Sequence, residues 1–209
     1  MKIVVFGASR GVGWNVVEQA LEAGHSVTAF VRSPSGFTMK YPNLTVYQGD
    51  AMNAAAVEKA IAGQDAVISA LGPTRPPVPE MMETAAKNIV TGMKKHGVRR
   101  LVSTTGAGVR QPQDEPKFAD HLIALLLNLL AKDVVRDSAA NVNVIQASDL
   151  DWTVVRFPRL DDGAHTGKYR VGYVGRNSSS RLSRADGADF VLKELTEMKW
   201  LRKLPVVSY

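Results

Sequence analysis

The chain has 209 residues, of which 45% are hydrophobic and 22% charged, as expected for one soluble α/β domain without a second core. It contains no cysteine, which excludes disulfides and cysteine nucleophiles, and its four scattered histidines match no common metal-binding motif, so we expect no metal. The net charge of +6 is spread along the chain, which favours a basic surface and an anionic cofactor over a nucleic-acid partner.

Apolar runs alternate with amphipathic segments from one end of the chain to the other. Runs rich in β-branched residues predict strands at Lys2–Phe6, Ser26–Val31, Leu44–Gln48, Asp65–Ala70, Arg99–Thr104, Asp151–Phe157, Tyr169–Val174 and Leu204–Val207. Apolar residues three and four apart predict helices at Gly11–Ala23, Asn53–Ala62, Glu80–His96, Phe118–Gln146 (in one piece or two) and Arg184–Met198. Proline and glycine predict loops at Gly72–Pro79 and Gly106–Pro116.

This alternation predicts an α/β fold: a doubly wound parallel sheet of the Rossmann type, with helices on both faces. We expect residues 1–209 to form a single domain, whose substrate side is contributed by residues of about 106–147 and 158–185.

No apolar stretch is long enough to cross a membrane. The N-terminal run breaks at Gly7, which argues against a secretory signal. The run Leu122–Leu130 falls well short of the roughly 20 residues that span a bilayer. It fits core packing, the wall of an aromatic pocket or a subunit contact. We therefore expect a cytoplasmic protein without a membrane partner, as a monomer or homodimer.

A glycine-rich loop joins the first strand to the first helix. In this setting Gly7 permits the tight turn, Gly11 allows the backbone to approach a pyrophosphate, and Gly13 allows the helix to pack closely on the strand. The helix N-terminus adds free N–H groups and a positive dipole. The loop predicts a dinucleotide site formed by Gly7, Ser9, Arg10, Gly11, Val12 and Gly13.

The end of the second strand selects the cofactor. NAD-binding proteins place an acidic residue there for the ribose hydroxyls, but this chain has Val31-Arg32-Ser33. The Arg32 guanidinium suits the oxygens of a 2′-phosphate, and Arg10 is a second candidate. A solvated surface arginine is the alternative interpretation of Arg32. We predict NADP(H) as the cofactor, with Arg32 at its 2′-phosphate and Ser33 among the cofactor-binding residues.

Other strand ends complete the predicted crevice, because ligands of this fold bind at the carboxyl ends of the strands. Asp50 is expected to accept a hydrogen bond from the adenine amino group. The remaining cofactor-binding residues predicted at strand ends are Ala51, Ala70, Leu71, Gly72, Thr104, Phe157 and Pro158.

Several segments together resemble one family. The segments FGASRGVG, HSVTAFVRSP, QGDAMN, GQDAVISALG, NIVTGMKKHGVRRLVSTTGAG, DWTVVRFPRL and SRLSRADGADFVL resemble the atypical short-chain dehydrogenase/reductases. Within them the chain is most similar to the NmrA-like and biliverdin reductase B (flavin reductase) group. The resemblance implies a Rossmann fold, NAD(P) binding and hydride transfer.

The chain departs from that family at several positions. Its loop has Arg10 and then Gly11, the spacing of the Tyr–Lys short-chain dehydrogenases, yet it contains no YxxxK motif. Flavin-reductase relatives carry a serine where Gly106 stands and a histidine where Arg159 stands. The resemblance therefore supports the cofactor site better than the substrate site.

The missing tyrosine limits the reaction class. Reduction of a simple ketone needs a general acid, whereas flavins, quinones and bilins can take their proton from solvent. We predict that Thr105 orients the nicotinamide or the substrate and that Arg159 attracts an anionic acceptor, both facing one crevice. The alternative interpretations are that Thr105 is an ordinary polar residue closing its strand and that Arg159 is a surface arginine. Asp120 and His121 are interpreted as solvated helix residues.

The sequence therefore favours an NADPH-dependent reductase of a flavin-, quinone- or bilin-like acceptor, with a small aromatic molecule as its partner. A non-catalytic NADP(H)-sensing regulatory protein of the NmrA type is the alternative. An epimerase-like enzyme with tightly held NAD is disfavoured by Arg32 and the missing Tyr–Lys pair.

Overall fold

The computed structural model describes residues 1–74, 76–118, 121, 129 and 131–209, and ten strands lie within them. They are β1 (Lys2–Phe6), β2 (Ser26–Val31), β3 (Leu44–Gln48), β4 (Ala66–Ser69), β5 (Arg100–Gly106), β6 (Asp151–Phe157), β7 (Arg159–Asp161), β8 (Arg170–Gly172), β9 (Arg181–Ser183) and β10 (Val206–Ser208). Eight of them form one sheet in the order β3-β2-β1-β4-β5-β6-β10-β8, and β7 pairs with β9 in a small second sheet. All pairs are parallel except β10 with β8.

Helices cover both faces of the large sheet. In the described part of the chain they are α1 (Gly11–Glu22), α2 (Ala54–Ile61), α3 (Met81–Lys95), α4 (Lys132–Gln146) and α5 (Arg184–Glu197). Helices α1 and α5 pack together on one face, and α3 packs between α2 and α4 on the other. The predicted doubly wound Rossmann fold is confirmed. Among the helices described, none combines the length and apolarity needed to cross a membrane.

The core consists of one apolar cluster on each face of the sheet. In β1, Ile3 and Val5 belong to one cluster, whereas Val4 and Phe6 belong to the other. Successive side chains of a strand point to opposite faces, so a strand covered on both faces must be apolar at every position. This burial explains the uninterrupted run that marks β1 in the sequence.

The topology places a crevice at the carboxyl edge of the sheet. The strand order reverses beside β1, which has β2 on one side and β4 on the other. Helices that leave the sheet in opposite directions at such a point open a gap between the loops that follow the strands. The β5–β6 register, with Gly106 opposite Phe157, brings the ends of those strands to the same gap.

The structure corrects several element boundaries. The predicted strand at 169–174 is reduced to the three residues of β8, and the last strand lies at Val206–Ser208. Strands β7 and β9 were missed, because three residues are too few for an alternating pattern to emerge. Helix α4 is the second piece of the helix predicted over 118–146. Asp120 and most of the apolar run 122–130 lie outside the described residues.

Candidate functional site

A crevice of about 800 Å³ runs along the carboxyl edge of the sheet. It contains almost all the residues predicted to bind the cofactor, and also Thr105. The predicted residues that line it are Gly7, Ser9, Arg10, Gly11, Val12, Arg32, Ser33, Asp50, Ala51, Ala70, Leu71, Gly72, Thr104, Thr105, Phe157 and Pro158. Gly13 lies behind this surface. The residues that the sequence predicted at six strand ends therefore line one continuous cavity.

The glycine loop is shaped by close backbone packing. Gly7 has a φ of 79°, and a Cβ there would lie 2.5 Å from the carbonyl oxygen of Ala70. A Cβ on Gly13 would overlap the carbonyl oxygen of Gly7, so α1 approaches β1 as closely as backbones allow. Gly11 has a φ of 62°, in the left-handed region that favours glycine. Side chains at these positions would distort or fill the cradle, which fits a bound pyrophosphate.

The start of α1 provides donors for an anion. Arg10 precedes the helix with an extended backbone, and its side chain makes no capping hydrogen bond. The first turn carries no acidic residue. The first N–H groups of a helix have no partner within the helix, and the helix dipole favours negative charge at that end.

Two arginines and a serine lie where the 2′-phosphate of NADP(H) is predicted. Arg10 and Arg32 are exposed on the crevice, and neither forms an ion pair within the described part of the chain. The Ser33 hydroxyl lies 3.0 Å from that of Ser35. These groups fit a phosphate. Asp50 also lines the crevice, although one of its carboxylate oxygens already accepts the backbone N–H of Met52 at 2.8 Å.

A second cleft of about 470 Å³ adjoins the crevice, and Arg159 lines this cleft instead of the crevice. We predicted that Thr105 and Arg159 face one crevice, but the structure places Thr105 on the crevice and Arg159 on the neighbouring cleft. The reason is local: Arg159 begins β7, and its N–H donates to the carbonyl oxygen of Ser180 at 3.2 Å, which turns it towards β9. The two cavities have three wall residues in common, namely Gly106, Phe157 and Pro158.

A buried ion pair supports the wall of this second cleft. Arg156, on β6, donates to both carboxylate oxygens of Asp114, each at 2.7 Å. Asp114 also accepts the backbone N–H groups of Gln111 at 2.7 Å and Val174 at 3.1 Å. Burial opposes ionisation of Asp114, but the hydrogen bonds from Arg156 and the backbone outweigh it and lower its pKa. One carboxylate therefore ties both walls of the cleft to the sheet.

Several crevice residues were missed, some of them because they lie on helices that reach the crevice only through tertiary packing. They are Met52, Thr74, Met81, Met82, Ser138, Leu160, Asp162 and Arg184. Asp137, beside Ser138, accepts the backbone N–H groups of Met82 and Glu83, so α4 caps α3 at the crevice wall. For Arg184 a sequence signal did exist, since it lies in the segment SRLSRADGADFVL that contributed to the family resemblance.

Comparison with known proteins identifies the family. The chain matches a family model described as NAD(P)H-binding over residues 7–198, which is most of its length. The chain belongs to this NAD(P)H-binding family. The match begins at Gly7, the first glycine of the cradle, so the family assignment and the crevice point to the same ligand class.

This NAD(P)H-binding protein is similar to one relative in sequence and to solved structures in fold. The uncharacterized protein YwnB of Bacillus subtilis (strain 168) is 27% identical, over 93% of this chain and 92% of its own. A short-chain dehydrogenase/reductase from Veillonella parvula DSM 2008, solved in complex with NADP, is 18% identical, with a TM-score of 0.83 over 100% of this chain and 94% of that one. ChuY, an anaerobilin reductase from Escherichia coli O157:H7, is 22% identical, with a TM-score of 0.78 over 100% of this chain and 97% of that one. The resemblance to short-chain dehydrogenase/reductases is confirmed at the level of the fold.

Proposed function

We propose that this protein is an NADPH-dependent reductase of a flat aromatic acceptor of the flavin, quinone or bilin type. The observation that carries the proposal is the second cleft, which adjoins the dinucleotide crevice across Phe157 and Pro158. A protein that only senses the dinucleotide has no need of a second cavity against the end of its cofactor site.

The crevice residues fit NADP(H) better than NAD(H). The glycine cradle and the start of α1 suit the pyrophosphate, and Arg32, Ser33 and Arg10 suit a 2′-phosphate. When bound, the dinucleotide supplies the hydride. The short-chain dehydrogenase/reductase from Veillonella parvula was solved in complex with NADP, so a protein of this fold binds that cofactor.

The protein's own part is to bind, orient and exclude water. Thr105 lies on the crevice at the end of β5, next to the buried Thr104, where its hydroxyl can hold the nicotinamide amide or the acceptor. None of the described residues lining either cavity is a tyrosine or histidine. Without such a proton donor, acceptors that take their proton from solvent are favoured over simple ketones.

The lining of the second cleft suggests the chemistry of the acceptor. Phe157, Pro158, Pro116, Val174 and Val206 give it an apolar wall suited to a flat ring system. Its basic residues are Arg110, Lys117 and Arg159. Together they favour an aromatic molecule with a phosphate or carboxylate substituent. ChuY is named as a reductase of an anaerobilin, which supports the bilin type among the three.

Stopped-flow oxidation of NADPH against a panel of flavins, quinones, a bilin and simple ketones tests this function. We expect turnover with one of the aromatic classes, and a slower hydride step in Thr105→Val. Thr45→Val is the matched control, because Thr45 is exposed on β3 away from both cavities. If the protein binds NADPH and NADP⁺ equally well and none of the acceptors supports NADPH oxidation, the protein is a sensor and the reductase proposal is wrong.

A further inference from the structure

Arg184 lies beside the phosphate-binding loop although 170 residues separate the two in sequence. Its Cδ and Nε atoms are 3.8 Å from the position that a Cβ on Gly11 would occupy. Gly11 is the glycine at which the fold lets a pyrophosphate approach the backbone. The arginine therefore covers the open side of the cradle.

The fold holds Arg184 firmly in this place. It is the first residue of α5, a helix capped by Ser183, whose hydroxyl accepts the N–H of Asp186 at 3.0 Å. The side chain of Gln19, on α1, donates to the carbonyl oxygen of Ala185 at 2.9 Å. The two helices that start at the cradle are thus locked together, and the Arg184 backbone needs no rearrangement to face a ligand there.

The guanidinium of Arg184 has N–H donors that no described residue accepts. Its Nη1 donates to Asp162 at 2.7 Å, and in the described structure this is its one side-chain hydrogen bond. Arginine carries five N–H donors, so Nε and Nη2 remain for another acceptor. Asp162 is 91% exposed, which makes the pair a weak, solvated one.

We propose that Arg184 is a phosphate-binding residue that contacts the pyrophosphate of the dinucleotide, and that the negative charge of Asp162 weakens this contact. The inference rests on the proposed dinucleotide site but not on catalysis. The inference gives the two arginines different roles. Arg32 recognises the 2′-phosphate and distinguishes NADPH from NADH, whereas Arg184 binds the pyrophosphate that the two dinucleotides share. A planar guanidinium suits both roles.

Titration calorimetry with NADPH, NADH and adenosine 2′-monophosphate separates these roles, because the last ligand has no pyrophosphate. Arg184→Met should raise the Kd of NADPH and NADH alike, by on the order of ten- to a hundredfold, and leave that of adenosine 2′-monophosphate unchanged. Arg32→Glu should weaken the two ligands that carry a 2′-phosphate. Arg181→Met is the matched control, since Arg181 pairs with Asp161 at 3.5 Å outside both cavities.

Asp162→Asn provides a second test that does not require removing the arginine. The amide still accepts the hydrogen bond but carries no charge, so the Kd of both dinucleotides should fall, roughly two- to fivefold. An unchanged Kd in Arg184→Met, a loss confined to NADPH, or weaker binding in Asp162→Asn would each overturn the assignment. None of these results depends on an acceptor, so the reductase proposal stands or fails separately.

Discussion

The buried Arg156–Asp114 pair gives a prediction whose size follows from its burial. Arg156 is fully buried, and Asp114→Asn leaves its charge without a carboxylate in the interior. Removing one partner of a buried ion pair costs about 3–5 kcal/mol. For a chain of this length that corresponds to a fall in Tm of roughly 6–20 °C. Because Asp114 also holds Gln111 and Val174, the walls of the second cleft should loosen as well.

Two assays test this prediction together. Thermal unfolding should show the fall in Tm, and steady-state kinetics should show a raised KM for the acceptor with an unchanged Kd for NADPH. Asp151→Asn is the matched control, because Asp151 pairs with the exposed Arg99 and should cost at most about 1 kcal/mol. Equal losses of stability in the two variants would refute the reasoning from burial.

The same pair predicts a pH dependence of stability. The pKa of Asp114 is lower in the folded protein than its usual value, so its stabilising effect is fully present above the unfolded-state pKa. It is lost as the pH falls through the lowered folded-state pKa. The difference in unfolding free energy between the parent and Asp114→Asn should therefore shrink in acid, and a constant difference down to strongly acidic pH would contradict this origin.

Three further predictions concern the site. Gly11→Val should abolish dinucleotide binding in calorimetry. Gly24→Val should bind the dinucleotide normally, because Gly24 also has a positive φ, of 79°, but lies outside the crevice. Normal binding by both variants would place the site elsewhere. Arg159→Ala should raise the KM for a phosphorylated flavin by roughly ten- to a hundredfold and that for an uncharged quinone far less; equal effects would make Arg159 structural. NADPH oxidation should be faster with flavin or quinone than with aliphatic ketones. Efficient ketone reduction would require a general acid other than tyrosine or histidine, neither of which is among the described residues that line the two cavities.

The cofactor crevice could be predicted from the sequence because its determinants are local. Gly7, Gly11 and Gly13 are required by a single turn, and Arg32 follows its strand directly. In a parallel sheet the carboxyl ends of neighbouring strands meet at one edge, so each strand that was correctly predicted also placed its last residues.

The acceptor side could not be predicted in the same way. Arg159 was expected in the crevice because it follows β6, but the three-residue pairing of β7 with β9 turns it into the neighbouring cleft. Arg184 and Ser138 reach the crevice only through the packing of α5 and α4 against other helices. Such contacts depend on tertiary structure and leave no periodic signal in the chain.

The central claim is that Arg32 makes the crevice specific for NADP(H), and titration calorimetry with NADPH and NADH tests it most directly. The account predicts that the parent binds NADPH more tightly, by on the order of ten- to a hundredfold, because a charged hydrogen bond to the 2′-phosphate is available to only one of the two ligands. In Arg32→Glu that preference should narrow or reverse. Equal affinities of the parent for NADPH and NADH would contradict the claim.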